Sequence, residues 1–221
     1  MSQPGASADE VARGVAVTRV PEGLSAIHHP DCAAAIWRRS PLPCFQSWID
    51  ALEPERLPKA RVILRPGIVR ETALHICEAC GTPGCAERDL LIDDAAALAS
   101  LFAELVGAAY LQFRFDLVSA DACPQCNADT GFARLVCAYR GTGTHYGFAA
   151  EGAEPERVFT VPTGAPILLR GPRWPGSPRS GLQHCSPPIE GTGQTRLVLV
   201  LDPAIDPAID PDHGPGRKRL H

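Results

Sequence analysis

Glycine and proline divide the second half of the chain into short segments, and this punctuation constrains the fold more than any other feature. The chain has 22 prolines and 20 glycines among 221 residues. Between them lie apolar and β-branched runs, which are YLQFRFDLV, FARLVCAYR, VFTVP, APILLR and TRLVLVLD. Several short strands with Gly/Pro punctuation are typical of a β-sandwich or a β-barrel.

The pattern inside these runs indicates how each strand is buried. In YLQFRFDLV, Leu111, Phe113, Phe115 and Leu117 share one face and polar residues share the other, which predicts a half-buried strand. TRLVLVLD is almost continuously apolar and predicts a strand in the middle of a sheet. VFTVP and APILLR are separated by Thr-Gly and predict a hairpin. Cys137, in the middle of FARLVCAYR, is expected in the core.

The first half of the chain has helical periodicity instead. CAAAIWRR follows Asp31, a helix-capping residue, and predicts a short helix. FQSWIDALEPER predicts a second helix. The segment IDDAAALASLFAELVGAA predicts the longest helix, which would begin at a cap formed by Asp93 or Asp94 and end at Gly107.

These patterns together predict an α+β fold in which a helical N-terminal portion packs on a small antiparallel β-barrel of the double-stranded β-helix or cupin-like type. The expected single domain spans residues 15–202, with a helix-rich part at 15–109 and the barrel at 110–202. Residues 1–14 are small and polar and are expected to be disordered. Residues 203–221 form a proline-rich tail, because proline at this spacing blocks both helices and sheets.

Charge and hydropathy limit the partners of the protein. The net charge of −4 and the pI near 6.0 give no indication of nucleic acid or an anionic membrane as a partner. No stretch approaches the roughly 18 apolar residues of a membrane helix, and the N-terminus lacks a signal-peptide pattern. We therefore expect a cytoplasmic protein that binds a small molecule; the sequence leaves the oligomeric state open. In that compartment the nine cysteines are expected as thiols or metal ligands.

Three residues have the order and spacing of a known cofactor site. His184 follows Asp129 by 55 positions, and Arg196 follows His184 by 12. This resembles the iron(II)/2-oxoglutarate oxygenases, where an H-x-D motif and a later histidine hold the iron and a basic residue binds the far carboxylate of 2-oxoglutarate. The resemblance implies Asp129 and His184 as ligands of Fe(II) and Arg196 as the residue that binds 2-oxoglutarate. Asn127 occupies the position of the first histidine, so the third ligand position is altered.

A second resemblance covers more of the chain. The segments RLVCAYRGTGT, APILLRGPRWPG and HCSPPIEGTGQTRLVLVLD are similar to the uncharacterised bacterial family called domain of unknown function 1826. The similarity covers about residues 90–202 and, more loosely, the region from about residue 15. The H-x-D of that family falls on Asn127 and Asp129, and its late histidine falls on His184. The family implies no firm activity, and the oxygenase-like function with an altered metal site, which would affect catalysis, is inferred from the spacing.

The cysteines support an alternative function. Cys77 and Cys80 form one C-x-x-C pair, and Cys123 and Cys126 form another. Each pair can place two thiolates on one tetrahedral zinc ion. The pairs are separated by 42 residues, against about 15–20 in the usual signature. The alternative is therefore a non-catalytic protein that binds metal or a small ligand and has a four-cysteine structural zinc site; a reading of the cysteines as separate core residues also stays open.

Overall fold

The protein has a mixed fold of helices and two β-sheets. The computed structural model describes residues 14–119, 131–150, 153–175, 181–189 and 191–206. The strands are β1 (Val15–Thr18), β2 (Ala34–Trp37), β3 (Ala60–Leu64), β4 (Tyr110–Val118), β5 (Ala133–Arg140), β6 (His145–Phe148), β7 (Val158–Thr160), β8 (Pro166–Arg170), β9 (Leu182–Cys185) and β10 (Arg196–Ala204). The helices are α1 (Pro43–Ala51), α2 (Val69–Ala79) and α3 (Ala86–Val106), with 3-10 turns at Pro21–His28, Pro54–Arg56 and Pro66–Ile68.

The strands of the second half are distributed between the two sheets. The large sheet has the order β1-β2-β8-β5-β10-β4-β3, and the small sheet has the order β7-β6-β9. All pairs are antiparallel except β1 with β2. As predicted, β10 is central, because β5 and β4 pair with its two edges. The predicted hairpin of VFTVP and APILLR is wrong, since β7 pairs with β6 in the small sheet whereas β8 pairs with β5 and β2 in the large one.

Alternate residues of β10 enter two different cores. Leu199 packs with Cys137 and Phe113 in the core under the helices, where Phe102 of α3 is also buried. Val198 and Val200 belong to the second core, between the large and small sheets. This division follows from the two-residue period of a strand and explains why β10 is apolar on both faces. The expected core position of Cys137 is confirmed, since it is fully buried.

The first half of the chain is less helical than predicted. The segment CAAAIWRR does not form a helix; Ala34–Trp37 form strand β2, between β1 and β8. Ala34 and Ala35 are fully buried there, because one contributes to each core. Strands β1, β2 and β3 extend the large sheet at both ends, so this half supplies sheet as well as helices.

The longest helix was located correctly but its start was not. Helix α3 begins at Ala86, seven residues before Asp93, so neither Asp93 nor Asp94 caps it. Each aspartate instead forms an ion pair, Asp93 with Arg70 and Asp94 with Arg39. The predicted end is correct, because Gly107 takes a left-handed conformation with φ 65° immediately after the helix.

The described residues do not form a closed barrel, since the large sheet has free edges at β1 and β3. Strand β10 continues to Ala204, two residues into the predicted tail, and its last residue pairs with Tyr110. Within the described ranges, no helix combines the length and apolarity needed to cross a membrane.

Candidate functional site

Arg196 is a charged residue that is buried between the two sheets. It has the same parity along β10 as Val198 and Val200, which line that space. Only 1% of its surface is exposed. Its Nε donates a hydrogen bond of 2.6 Å to the carbonyl oxygen of Thr142, but its Nη1 is buried without a hydrogen-bond partner in the described structure. Burial lowers the pKa of Arg196 to about 10, since nothing described compensates the charge.

The loop RGTGT, which follows β5, wraps the stem of Arg196. Gly141 has φ 75°, and a Cβ at this position would lie 2.8 Å from Cγ of Arg196. A Cβ on Gly143 would lie 1.7 Å from the carbonyl oxygen of Val161, so the loop can approach its neighbours only with glycine at both positions. Gly141 therefore lets the loop pack against the stem of Arg196, and Gly143 lets it pack against Val161, roles that the sequence alone does not indicate.

His184 lies on β9 and faces the same space. It is the register partner of Tyr146 in the β6–β9 pair, and directly opposed residues project from the same face of a sheet. Tyr146 is buried in the core between the sheets, together with Leu182. His184 on the small sheet and Arg196 on the large sheet therefore both face the space between the sheets, and the imidazole of His184 is half-buried there.

His145, on β6, interacts electrostatically with Arg196. It is the register partner of Cys185, next to His184. Burial and, secondarily, the positive charge of Arg196 lower the pKa of His145 below its usual value. The field of Arg196 therefore reaches the strand pair that carries His184. The proximity of His145 to Arg196 depends on the tertiary structure, because 51 residues separate them in the sequence.

The other predicted ligands lie outside the described residues. These are Asn127 and Asp129 of the altered H-x-D motif and Cys123 and Cys126 of the second C-x-x-C pair. Among the described residues, no three His, Cys, Asp or Glu side chains come together as a metal site. The iron-binding assignment of Asp129 therefore stays a prediction.

The described cysteines do not support a zinc site. Cys77 is fully buried in α2, and burial raises the pKa of its thiol to about 11, which disfavours the thiolate that zinc requires. Cys80 follows the helix as its C-cap residue, and both sulfurs are free. Cys185 corrects the expectation that all cysteines are thiols or metal ligands, because it is disulfide-bonded.

A partly buried charge network was missed by sequence reasoning. Arg39 donates from Nη1 and Nη2 to the two carboxylate oxygens of Asp94, at 2.5 and 2.6 Å, and from Nε to the carbonyl oxygen of Gly164 at 2.6 Å. The hydroxyl of Tyr139 donates to the same carboxylate at 2.7 Å. This network lies on the helix side of the large sheet, where Tyr139 and Cys137 are buried. A bidentate pair between residues 55 positions apart leaves no local pattern in the sequence.

The sequence profile of the family described as "Protein of unknown function (DUF1826)" matches residues 18–202. The chain belongs to this family. The resemblance carried by the three glycine- and proline-bounded motifs is thereby confirmed, and it extends over β2, β3 and helices α1 to α3. No curated protein matches the chain.

Solved structures of oxygenases are similar to this family member at low identity. The dioxygenase for auxin oxidation from rice is 14% identical with a TM-score of 0.46, over 90% of this chain and 88% of that one. The dioxygenase for auxin oxidation 1 from Arabidopsis thaliana, in a binary complex with 2-oxoglutarate, is 12% identical with a TM-score of 0.43, over 79% and 73%. A 2OG-Fe(II) oxygenase-family protein from Burkholderia pseudomallei is 16% identical with a TM-score of 0.40, over 85% and 93%. TM-scores below 0.5 do not by themselves establish a common activity.

Proposed function

We propose that this DUF1826 protein binds 2-oxoglutarate and iron(II) between its two sheets, as an oxygenase-like domain with an altered metal site. The observation that carries the proposal is Arg196, a buried guanidinium whose Nη1 has no hydrogen-bond partner in the described structure. A buried charge without a counter-charge is costly, and a ligand carboxylate would remove that cost.

The remaining geometry of Arg196 suits a carboxylate ligand. Its Nε is fixed by the carbonyl oxygen of Thr142, which sets the plane of the guanidinium. The terminal nitrogens are thereby oriented before the ligand arrives, and a planar fork matches a carboxylate in two hydrogen bonds. The distal carboxylate of 2-oxoglutarate is our assignment for this group.

The proposed metal site uses His184 and Asp129, with Asn127 at the third position. His184 supports this assignment because its strand faces the same space as Arg196. An imidazole and a carboxylate are ligands that iron(II) accepts, whereas an amide oxygen is weaker than the imidazole it replaces. When bound, the metal would supply redox chemistry toward oxygen and the co-substrate. The residues of the chain would hold the metal and fix the carboxylate.

Thermal unfolding in the presence of ligand tests the proposal. A ligand that binds only the native state raises stability by RT ln(1 + [L]/Kd), or about 2.7 kcal/mol at one hundred times Kd. We expect 2-oxoglutarate with manganese(II), as a redox-stable substitute for iron(II), to raise the melting temperature of the wild type. Arg196→Gln should abolish the contribution of 2-oxoglutarate, and His184→Ala should abolish that of the metal.

Arg70→Gln is the matched control, because Arg70 is an exposed arginine on α2 and should leave both responses intact. Absence of any shift in the wild type at millimolar 2-oxoglutarate and metal would contradict the proposal. Asn127→His supplies an independent arm, since restoring an imidazole at the altered position should tighten manganese binding. An unchanged affinity in that variant would contradict the assignment of residue 127 to the metal site.

Metal analysis of the purified protein separates this proposal from the four-cysteine zinc site. We expect no stoichiometric zinc, because Cys77 favours the protonated thiol. One zinc per chain that is lost in Cys80→Ser would instead support the non-catalytic alternative.

A further inference from the structure

The inter-sheet face of the large sheet becomes charged beyond the apolar residues that surround Arg196. Along β10, Val198 and Val200 are followed on the same face by Asp202. The register places polar residues beside this position on both neighbouring strands, Gln112 on β4 and, by continuation of the antiparallel pairing, Arg134 on β5. Arg134 donates from Nε to Asp202 at 2.6 Å. One end of this face is therefore built from polar groups.

Two arginines on this face oppose each other directly. Arg61 of the edge strand β3 is the register partner of Arg114 on β4, so their side chains project from the same face. Opposed residues of an antiparallel pair have Cβ atoms about 5 Å apart, and like charges in this arrangement are destabilising. An arrangement that is unfavourable in the empty protein becomes favourable when an anion lies between the two groups.

The acidic neighbours do not fully satisfy Arg114. Its nitrogens lie 3.3 Å from a carboxylate oxygen of Asp202 and 3.7 Å from one of Asp116. Both distances exceed the roughly 2.8 Å that is usual for charge-assisted hydrogen bonds, whereas Arg134 reaches Asp202 at 2.6 Å. The Nε of Arg114 is buried and has no hydrogen-bond partner in the described part of the chain. Only 18% of its side chain is exposed, so bulk water contributes little to its solvation.

We infer that Arg61 and Arg114 form an anion site that recognises a carboxylate or phosphate group of the primary substrate. The inference rests on the proposed function, because it treats this face as the wall of the same active site. The two anion sites are separate: Arg114 pairs with Val200, four residues from Arg196, which corresponds to about 13 Å along the strand. A single small dianion cannot occupy both.

The chemistry favours an oxyanion over a cationic substrate. Arg61 donates from Nη2 to the side-chain oxygen of Gln112 at 3.1 Å, which orients its guanidinium along the same face. Asp202 is occupied by Arg134, so its charge is already neutralised on one side. The Nε of Arg114 therefore keeps an unused donor on this face, while Asp116, its other acidic neighbour, is 40% exposed to water.

Titration followed by NMR of the arginine Nε–H resonances tests the site directly. The probes are acetate and inorganic phosphate, each added to the metal-free protein at constant ionic strength. We expect a saturable shift of the Arg114 resonance, with an affinity that falls about tenfold or more in Arg61→Gln, since hydrogen bonds to charged groups have at least this effect. Tighter binding of phosphate than of acetate would indicate a phosphate-bearing substrate, and the reverse a carboxylate.

Arg70→Gln is the control, because it removes an exposed arginine from a different surface and should leave the titration unchanged. A shift of Arg114 that does not saturate, or one equal to that of Arg70, would overturn the inference. Arg114→Lys keeps the positive charge but loses the planar guanidinium. This variant should stay folded and should lose the binding of acetate and phosphate. Stabilisation by 2-oxoglutarate and manganese(II) should persist in Arg61→Gln. If wild type binds phosphate at Arg114 but fails to respond to 2-oxoglutarate, the anion site stands and the proposed function falls.

Discussion

Arg39 and Arg196 lie on opposite faces of the large sheet, and in the described structure only Arg39 has a carboxylate that compensates its charge. Arg39, on the helix side, has a bidentate carboxylate from Asp94 and a further bond to Gly164. Burial would lower its pKa, but the hydrogen bonds and charge of Asp94 outweigh burial and raise it above the usual value. Arg196, between the sheets, has one carbonyl partner and a lowered pKa.

The difference separates an arginine whose charge is compensated within the fold from one whose charge no described group compensates, and this contrast is the basis of the proposed assignment of Arg196. The helix-side network joins the segment before α1, helix α3 and strand β5, and each of its strong donors has an acceptor. On the other face, the carbonyl of Thr142 accepts from Nε of Arg196, but no described acceptor reaches its Nη1. Most buried donors in native proteins have an acceptor, so the Nη1 of Arg196 is the group that the proposed ligand would engage.

The largest expected effect on stability comes from breaking the ion pair between Arg39 and Asp94. Asp94→Asn should destabilise the protein by about 3 kcal/mol, because it leaves the partly buried Arg39 without its counter-charge. Asp93→Asn, at the adjacent position, is the control: its pair with Arg70 has side chains 60% and 56% exposed and should change stability by no more than about 0.5 kcal/mol. Urea unfolding of both variants measures the difference. Equal effects at the two positions would show that Arg39 does not depend on Asp94.

A smaller effect is expected from the loop that holds Arg196. Gly141→Ala should lower the free energy of unfolding by about 2 kcal/mol. The alanine would have to keep the left-handed backbone conformation, and its Cβ would lie 2.8 Å from Cγ of Arg196. Gly191→Ala isolates the backbone contribution, because Gly191 has φ 72° and open space around it. Thermal unfolding with and without 2-oxoglutarate should show that only Gly141→Ala weakens the response to the ligand. If both variants behave alike, the loop does not position Arg196.

Replacing Arg196 should reduce stability less than breaking the ion pair between Arg39 and Asp94. Arg196→Met replaces a buried charge with an apolar side chain of similar length, so the ligand-free stability should change by no more than about 1 kcal/mol in either direction. Chemical denaturation without 2-oxoglutarate is the measurement. A loss comparable to that of Asp94→Asn would mean that Arg196 is a structural residue, and the contrast between the two faces would disappear.

The smallest effect concerns pH. The pKa of His145 is lowered in the folded protein, so the unfolded chain binds the proton more readily once the pH falls below about 6.5. Stability is therefore unaffected by this group above that pH and decreases as the pH falls through the window between its unfolded and folded pKa values. His145→Gln should reduce the slope of melting temperature against pH between 7.5 and 5. Bound 2-oxoglutarate should reduce it too, because its carboxylate neutralises Arg196. An unchanged slope in the variant would contradict the electrostatic link.

Local patterns determined much of the sheet and part of the helical layer. The alternation in YLQFRFDLV predicted β4 and its buried face, the continuous apolar run predicted that β10 is central, and Gly107 marked the end of α3. These features depend on residues that are neighbours in sequence. CAAAIWRR shows the limit: alanine favours helices in isolation, but the position between β1 and β8 requires small side chains on both faces of a strand.

The sequence by itself determined the family motifs, the strand-forming segments and the identities of His184 and Arg196 as residues to consider. Only the tertiary structure decided that β9 and β10 direct these residues toward one space, that Asp94 satisfies Arg39, and that Arg61 opposes Arg114. Solvation of a charge depends on which distant groups surround it. That environment is set by the register and order of strands far apart in the chain, which no local pattern encodes.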